Sequence, residues 1–105
     1  MEPDPKIIEE LVRRIVETIH PLRIILFGSA ARGQMGPDSD IDVLVVMPEG
    51  THRRRTMGEL HMAMFGLPAA VDILVATTAD LEKHKDNIGL IYYRVLREGR
   101  DVYAA

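Results

Sequence analysis

The sequence predicts a single α/β (α+β) domain in which a small mixed β-sheet packs against helices. Short apolar runs rich in β-branched residues alternate with longer segments whose apolar residues recur at helical spacing, and loops containing proline and glycine separate them. The chain of 105 residues has the size of one common domain, so we expect residues 1–105 to form one unit. Contents of 47% hydrophobic and 28% charged residues are typical of a globular protein.

The first predicted helix has clear signals at both ends. Asp4 is a suitable N-cap, and Pro5 then occupies the first helical position. The pair His20–Pro21 ends the helix, because a residue before proline is driven out of the α region. One face of this helix is apolar and carries Ile7, Ile8, Leu11, Val12, Ile15 and Ile19.

Four segments are predicted to be strands. Arg23–Phe27 is a continuous apolar run, typical of a strand buried on both faces, and it stops at the turn or brief helix of Gly28–Gly33. The second strand runs from Ser39 to about Met47, and the third covers Ala70–Ala76. Val102–Tyr103 is expected to add a short edge strand.

Three more helical segments complete the prediction. One covers His52 to about Phe65, a polar one begins at Thr77, and the last runs from Ile88 to Arg97 with Gly99 as its C′ residue. The apolar face of the first comprises Met57, Leu60 and Met64, with Phe65 beside it. The inward residues of the last are Ile88, Ile91, Tyr92, Val95 and Leu96.

Composition excludes several kinds of protein. There are no cysteines, so disulfides and thiolate metal sites are impossible. No segment approaches the ~20 apolar residues that span a bilayer, and the N-terminus lacks the order of a signal peptide, so we expect a cytoplasmic protein without membrane contacts. A net charge of −3 argues against a broad nucleic-acid surface but allows a nucleotide held by a few donors.

Three aspartates interrupt segments that otherwise have the pattern of buried strands. Asp40 and Asp42 are two positions apart and therefore project from the same side of their strand, whereas Asp72 opens the next one. If these strands are neighbours, the three carboxylates converge and raise one another's pKa unless a cation neutralises them. Hard oxygen ligands of this kind suit Mg²⁺, which shares its remaining positions with water and substrate phosphates.

These residues form a pattern that resembles a known family. Gly28–Ser29, a ten-residue spacer, Asp40-Ile-Asp42 and a later Asp72 resemble the nucleotidyltransferases related to DNA polymerase beta. The form G-S-A-A-R-G at residues 28–33 with S-D-I-D at 39–42 is similar to the minimal nucleotidyltransferase branch. Members of that branch are typically antitoxins paired with a small helical HEPN-domain toxin. The resemblance covers most of the chain and implies the polymerase beta-like fold.

The resemblance assigns the three acids a catalytic role. It implies that Asp40, Asp42 and Asp72 are both catalytic and metal-binding, with two Mg²⁺ ions during catalysis that clamp the attacking and leaving oxygens. Asp72 would stand near the acceptor hydroxyl, where the family's mechanism makes it the general base.

It also implies a nucleotide-binding set of Gly28, Ser29, Arg32 and Ser39. A glycine directly after a strand lets the backbone approach a ligand closely. Ser29 would donate its hydroxyl to the β and γ phosphates, and Arg32 would balance the charge of the triphosphate.

The implied activity is transfer of a nucleoside monophosphate, AMP from ATP in the first place, to a tyrosine of a HEPN toxin. An antitoxin that acts only by forming a complex is the main alternative. A small-molecule nucleotidyltransferase, as among the aminoglycoside-modifying relatives, is less expected because the chain is too short for their additional acceptor domain.

Single residues also have simpler interpretations. Gly28–Ser29 alone could be an ordinary turn, Asp40 a strand-start acid and Asp72 a solubilising acid on an edge strand. The run 52–55 (His-Arg-Arg-Arg) is usually a solvated helix face, although cations there oppose the helix dipole and could indicate an anionic ligand or partner. Met57, Met62 and Met64 are expected to fill the core, an adaptable partner surface being the minority interpretation. Self-association through the methionine-rich helix or the edge strand is also open.

Overall fold

The computed structural model describes residues 3–33, 40–87 and 91–105. Within them, four strands form one sheet in the order β3-β2-β1-β4. β2 is parallel to β3 and antiparallel to β1, and β1 is antiparallel to β4. The strands are β1 (Arg23–Phe27), β2 (Ile41–Met47), β3 (Val71–Thr77) and β4 (Arg100–Ala104). The predicted mixed sheet is confirmed, including the edge strand near the C-terminus.

Helices connect and cover these strands. They are α1 (Pro5–Ile19), α2 (Gly28–Ala31), α3 (Arg53–Ala63), α4 (Thr78–His84) and α5 (Ile91–Glu98). None of the helices in the described part of the chain is long and apolar enough to cross a lipid bilayer.

The sheet is buried on both faces, and alternate residues of each strand serve different layers. In β1, Ile24 and Leu26 pack towards α1 and α3, whereas Ile25 packs towards α4 and α5. The first layer contains Leu11, Ile15, Val43, Val45, Leu60, Ile73 and Val75. The second contains Leu44, Val46, Ala76, Leu81 and Val95. The central strands are therefore apolar along their length, apart from Arg23 in β1 and Asp42 in β2, because neither face meets water there.

α1 begins and ends where the sequence predicts. The Asp4 carboxylate accepts a hydrogen bond from the backbone N–H of Lys6 at 2.9 Å, and His20 ends the helix with a left-handed φ of 49°. Arg14 links α1 to the end of α3 by donating to the carbonyls of Ala63 and Phe65 at 3.2 and 2.9 Å. These carbonyls would otherwise lack helical partners, so the guanidinium both caps α3 and fixes its position on α1.

The apolar face of α3 is narrower than predicted. Leu60 is buried and Met57 and Met64 pack against the core, but Phe65 is 90% exposed and Met62 79% exposed. The prediction that Met62 fills the core was therefore wrong, as was the placement of Phe65 beside the apolar face. Met62 lies on the side of α3 opposite the buried Leu60, and Phe65 follows the end of the helix.

The basic start of α3 is solvent-exposed, as its simpler interpretation has it. The imidazole Nδ1 of His52 accepts the N–H of Arg55 at 3.1 Å and caps the helix. Arg53 forms an ion pair with Asp80 at 3.2 Å, while Arg54 and Arg55 are exposed.

α5 follows the prediction in part. Val95 is buried, and Tyr92 and Leu96 pack against the second layer, but Ile91 is 46% exposed rather than inward, and Ile88 lies outside the described residues. Ile91 belongs to the first turn of α5, one turn before the buried Val95.

Gly99 is required by close packing. Its N–H bonds to the carbonyl of Val95 at 2.8 Å, yet it does not have the positive φ of the predicted left-handed C′ residue. A Cβ at this position would overlap the Val95 carbonyl and lie 2.5 Å from the Ile25 side chain. The chain can therefore turn from α5 into β4 against the sheet only without a side chain here.

We expect Gly99→Ala to lower the free energy of unfolding by about 1–3 kcal/mol, because the added methyl group overpacks the junction of α5 and β4. Gly58→Ala is the matched control: Gly58 lies inside α3 with no neighbouring atom within 4 Å of an added Cβ. That control should stabilise the protein by roughly 0.5–1 kcal/mol through helix propensity. Urea unfolding of the three proteins measures both changes, and equal effects at the two glycines would contradict the packing argument.

Candidate functional site

Two of the predicted acids lie side by side in the sheet. Asp42 and Asp72 are the second residues of β2 and β3 and are register partners in this parallel pair. Asp42 and Asp72 are each two residues before a leucine of the same strand, Leu44 and Leu74, so they lie on the same sheet face as these leucines. This is the face that α4 and α5 cover further along the strands. Asp40 directly precedes β2 and, two residues before Asp42, belongs to the same side. The three carboxylates thus come to one end of one sheet face.

The electrostatics of Asp42 reflect this placement. Partial burial raises the pKa of its carboxyl group first, and the negative charges of Asp72 and Asp40 raise it further, whereas the Arg32 guanidinium opposes the shift. Asp40 and Asp72 are exposed, and Asp42 is half-buried. The deprotonated site therefore carries a concentration of negative charge that its immediate surroundings compensate only in part.

This donor set is chemically suited to a divalent cation. In residues 3–33, 40–87 and 91–105, no three His, Cys, Asp or Glu side chains are already grouped closely enough to hold a metal ion. The acids nevertheless supply only hard oxygen ligands, and the raised pKa of Asp42 shows a carboxylate that a nearby cation would stabilise.

The glycine after β1 connects the two halves of the motif. Gly28 has a left-handed φ of 67°, and Phe27 just before it is the register partner of Asp42. A Cβ on Gly28 would overlap Oδ2 of Asp42. The absence of a side chain thus lets the carboxylate lie directly over the backbone that begins α2, where Ser29 follows.

A cleft of about 360 Å³ opens beside this junction. Its walls come from the end of β1, from α2, from β2 and from α5. The lining residues are Phe27, Gly28, Ser29, Arg32, Asp42, Ile91, Arg94 and Glu98. Four predicted site residues thus share one concave surface. Asp40 and Asp72 are not among its lining residues, but their charges act on Asp42, which is. The predicted nucleotide-binding residue Ser39 lies outside the described residues.

Sequence reasoning missed the contribution of α5. Ile91, Arg94 and Glu98 line the cleft, yet the last helix was predicted only to pack inward. Arg94 and Glu98 are four residues apart, and the buried Val95 between them fixes the helix rotation that brings both to the cleft edge. The spacing of this Arg–Glu pair is visible in the sequence, but the element that it faces is not.

We expect Asp42→Asn to stabilise the metal-free protein at pH 7. The pKa of Asp42 is raised above its usual 3.8 in the folded state. Folding therefore favours the protonated form, and stability is lost as the pH rises from that value through the folded pKa. Thermal unfolding in EDTA should show a higher Tm for the variant at pH 7 and a smaller difference below pH ~4. Asp86→Asn, an exposed substitution of the same kind, is the control; a wild type as stable as Asp42→Asn at pH 7 would contradict the electrostatic account.

Two solved structures share this architecture. A Sulfolobus solfataricus protein assigned as a nucleotidyltransferase is 27% identical, with a TM-score of 0.58 over 77% of this chain and 73% of that chain. A chain from the structure of a toxin–antitoxin with AMP-PNP is 22% identical, with a TM-score of 0.65 over 93% of this chain and 73% of that chain. This second likeness is one of fold. No curated protein matches the chain.

The family comparison is more specific than the likeness of folds. The sequence profile of the nucleotidyltransferase domain matches residues 6–97, which include β1, β2, β3 and every lining residue of the cleft except Glu98. The match agrees with the resemblance found in the motif and is consistent with the minimal nucleotidyltransferase branch. Because it extends over most of the 105 residues, the protein belongs to the nucleotidyltransferase domain family.

Proposed function

We propose that the protein is a Mg²⁺-dependent nucleotidyltransferase that transfers AMP from ATP to a tyrosine hydroxyl of a HEPN-domain toxin and thereby acts as its antitoxin. The observation that carries the proposal is the register pairing of Asp42 with Asp72 next to the Gly28–Ser29 turn. This combination provides cation ligands and a phosphate-binding turn in one place. Such a reaction belongs to the cytoplasm, where ATP is available.

The cleft residues have separable binding roles in this reaction. Gly28 leaves the backbone open to close approach by a phosphate, and the Ser29 hydroxyl donates to its oxygens. Arg32, which already offsets the charge at Asp42, faces the same cleft and balances the triphosphate. Ser39 is proposed as a further nucleotide contact on the strength of the motif.

The chemical step needs a base and an in-line geometry. The tyrosine oxygen attacks the α-phosphorus, the bond from that phosphorus to the bridging oxygen breaks, and pyrophosphate leaves. Asp72, exposed on the edge strand β3, takes the hydroxyl proton. Asp40 and Asp42 would hold the nucleotide-bound Mg²⁺ and would share a second Mg²⁺ with Asp72. The two Mg²⁺ ions would supply charge stabilisation for the attacking and leaving oxygens.

The proposal of a protein acceptor rests on two observations. The structure with a TM-score of 0.65 is that of a toxin–antitoxin with AMP-PNP, an adenine nucleotide analogue, and it covers 93% of this chain. In addition, Asp72 lies on an edge strand and is exposed, so the base is accessible to a hydroxyl presented by another molecule. A large acceptor can therefore reach the site from the β3 side.

We expect label from [α-³²P]ATP, but not from [γ-³²P]ATP, to appear on the HEPN protein when it is mixed with this chain and Mg²⁺. Asp72→Asn should slow labelling by about 10²–10⁴-fold, the usual contribution of a general base. Asp42→Asn should reduce it by at least about 10²-fold through lost charge stabilisation. Asp86→Asn, an exposed aspartate remote from the cleft lining, should label at the wild-type rate.

The same experiment separates the alternatives. If the wild type and Asp42→Asn neutralise the toxin equally well and no protein is labelled, the chain is a binding antitoxin. That result would contradict the catalytic proposal. If cell extract is added to the same mixture and label appears only on a small molecule, the result would instead indicate a small-molecule nucleotidyltransferase.

We expect Gly28→Ala and Gly66→Ala both to destabilise the protein but only Gly28→Ala to weaken nucleotide binding. Both glycines have a positive φ, 67° and 85°, so an alanine costs about 1–2 kcal/mol at each. At Gly66 an added Cβ meets nothing within 4 Å, whereas at Gly28 it displaces the Asp42 carboxylate. Urea unfolding and titration with Mg²⁺-ATP measure the two effects, and we expect at least tenfold weaker binding for Gly28→Ala alone. Equal affinities for the two variants would argue against a nucleotide at this turn.

A further inference from the structure

A carboxylate lies between two guanidinium groups at the edge of the cleft. Oε2 of Glu98 is 3.9 Å from Nη1 of Arg32 and 3.8 Å from Nη2 of Arg94. Arg32 follows α2 and Arg94 belongs to α5, so the two cations reach the same point from different elements. All three residues line the cleft together with Gly28 and Ser29.

These ion pairs are loose. Both distances exceed the 2.7–2.9 Å of a charge-assisted hydrogen bond, and the Glu98 side chain is 50% exposed. An exposed pair of this kind is worth at most about 1 kcal/mol because water and salt screen it. A phosphate group offers more acceptor oxygens and more charge to the same guanidinium groups, so it would displace the carboxylate.

Packing does not account for the position of Arg94. Its side chain is 66% exposed, in contrast to Arg97 one turn later, whose guanidinium stacks 4.9 Å above the ring of Tyr93. The buried Val95 orients α5 so that Arg94 and Glu98 share the side that faces the cleft. Arg94 therefore lies at the edge of the cleft, where it pairs with Glu98, rather than in the core.

We propose that Arg32 and Arg94 form a two-element clamp for the triphosphate of the nucleotide, and that Glu98 occupies the anion position of this clamp until the nucleotide displaces it. The inference deepens the proposed function and rests on it, since it concerns the same cleft. It assigns α5, outside the Gly-Ser and Asp-x-Asp motif, a direct part in binding, and it makes Glu98 a built-in competitor that lowers affinity. While no nucleotide is bound, Glu98 lies between the two guanidinium groups and reduces their mutual repulsion.

The test is a titration with Mg²⁺-ATP and with Mg²⁺-tripolyphosphate by isothermal calorimetry, which requires no acceptor. Arg94→Gln should weaken binding of both probes about tenfold, the effect of losing one charge-assisted contact. Glu98→Gln should strengthen binding of both about two- to fivefold, because the competitor is removed. The control variants are Arg97→Gln on α5 and Glu82→Gln on α4. They change the charge by the same amounts as Arg94→Gln and Glu98→Gln, but neither residue lines the cleft, so both should bind the two probes as wild type does.

A double variant distinguishes competition from simple repulsion. If Glu98 acts by occupying Arg94, the gain from Glu98→Gln should shrink in the Arg94→Gln background, whereas a purely long-range effect of charge would persist unchanged and overturn the competitor role. Arg94→Lys keeps the charge but loses the planar fork, so it should fall between wild type and Arg94→Gln. Circular dichroism confirms that each variant is folded.

The outcomes separate this inference from the proposed function. If wild type binds Mg²⁺-ATP and Arg94→Gln binds it equally well, the clamp is wrong and the proposed transfer is unaffected. Weaker binding of tripolyphosphate by Arg94→Gln together with absent labelling of the HEPN protein would support the clamp and contradict the transfer. Weaker binding by Glu98→Gln would overturn the competitor role, since Glu98 would then be orienting the arginines.

Discussion

The parallel pairing of β2 with β3 is the constraint on which the rest of the site depends. Strands that run in the same direction begin at the same edge of a sheet, so acids at the second position of each strand meet. A slip of one residue in β3 would turn Asp72 to the opposite face, towards α1 and α3. The register is secured by the apolar rows of the two strands, since Val43 and Val45 must lie in the same layer as Ile73 and Val75. The core therefore positions the carboxylates without touching them.

The site lowers the stability of the protein while no ligand is bound. Burial and two neighbouring acids raise the pKa of Asp42, so keeping its carboxylate charged at neutral pH has a free-energy cost. Gly28 adds a left-handed backbone at the same point, and its missing side chain gives the carboxylate its space. Functional sites commonly retain such unfavourable features because a ligand compensates them. Here the compensating ligand would be a cation with a phosphate group.

Periodicity predicts most of the elements, because a strand or helix imposes its own repeat on the residues that it buries. Strand β1 is an example: three consecutive buried residues, Ile24 to Leu26, follow from a sheet covered on both faces. The motif likewise singles out Gly28 and Asp42 by residue type and spacing alone. What periodicity does not contain is the identity of the neighbour. From the sequence, the pairing of β2 with β3 can only be assumed. Whether the two strands pair, and in which direction, is decided by how the whole chain packs.

The apolar residues whose burial the sequence mispredicts are those without a partner surface. Met62 lies on the side of α3 opposite the buried Leu60, Phe65 follows the end of that helix, and Ile91 lines the open cleft. Hydrophobicity predicts burial only where a partner surface exists, and the length of that surface is a property of the tertiary structure. The same limit explains why the sequence does not predict that α5 lines the cleft. Arg94 can be assigned to the site only once α2 is known to lie across the cleft from it.

Charge balance explains why the cations come from two separate elements. The chain has a net charge of −3 and concentrates acids at the start of β2 and β3, so a nucleotide triphosphate approaches an unfavourable local potential. A bound divalent cation lowers the repulsion on the acid side only. On the other side, Arg32 is drawn both to Asp42 and to Glu98, and one guanidinium cannot neutralise several phosphate oxygens. In the proposed clamp, Arg94 on α5 would supply the second positive charge, and Glu98 would balance that charge until a phosphate group binds. On this proposal, an acidic protein holds a highly charged anion by compensating it locally, and the helix after the motif forms part of the binding surface.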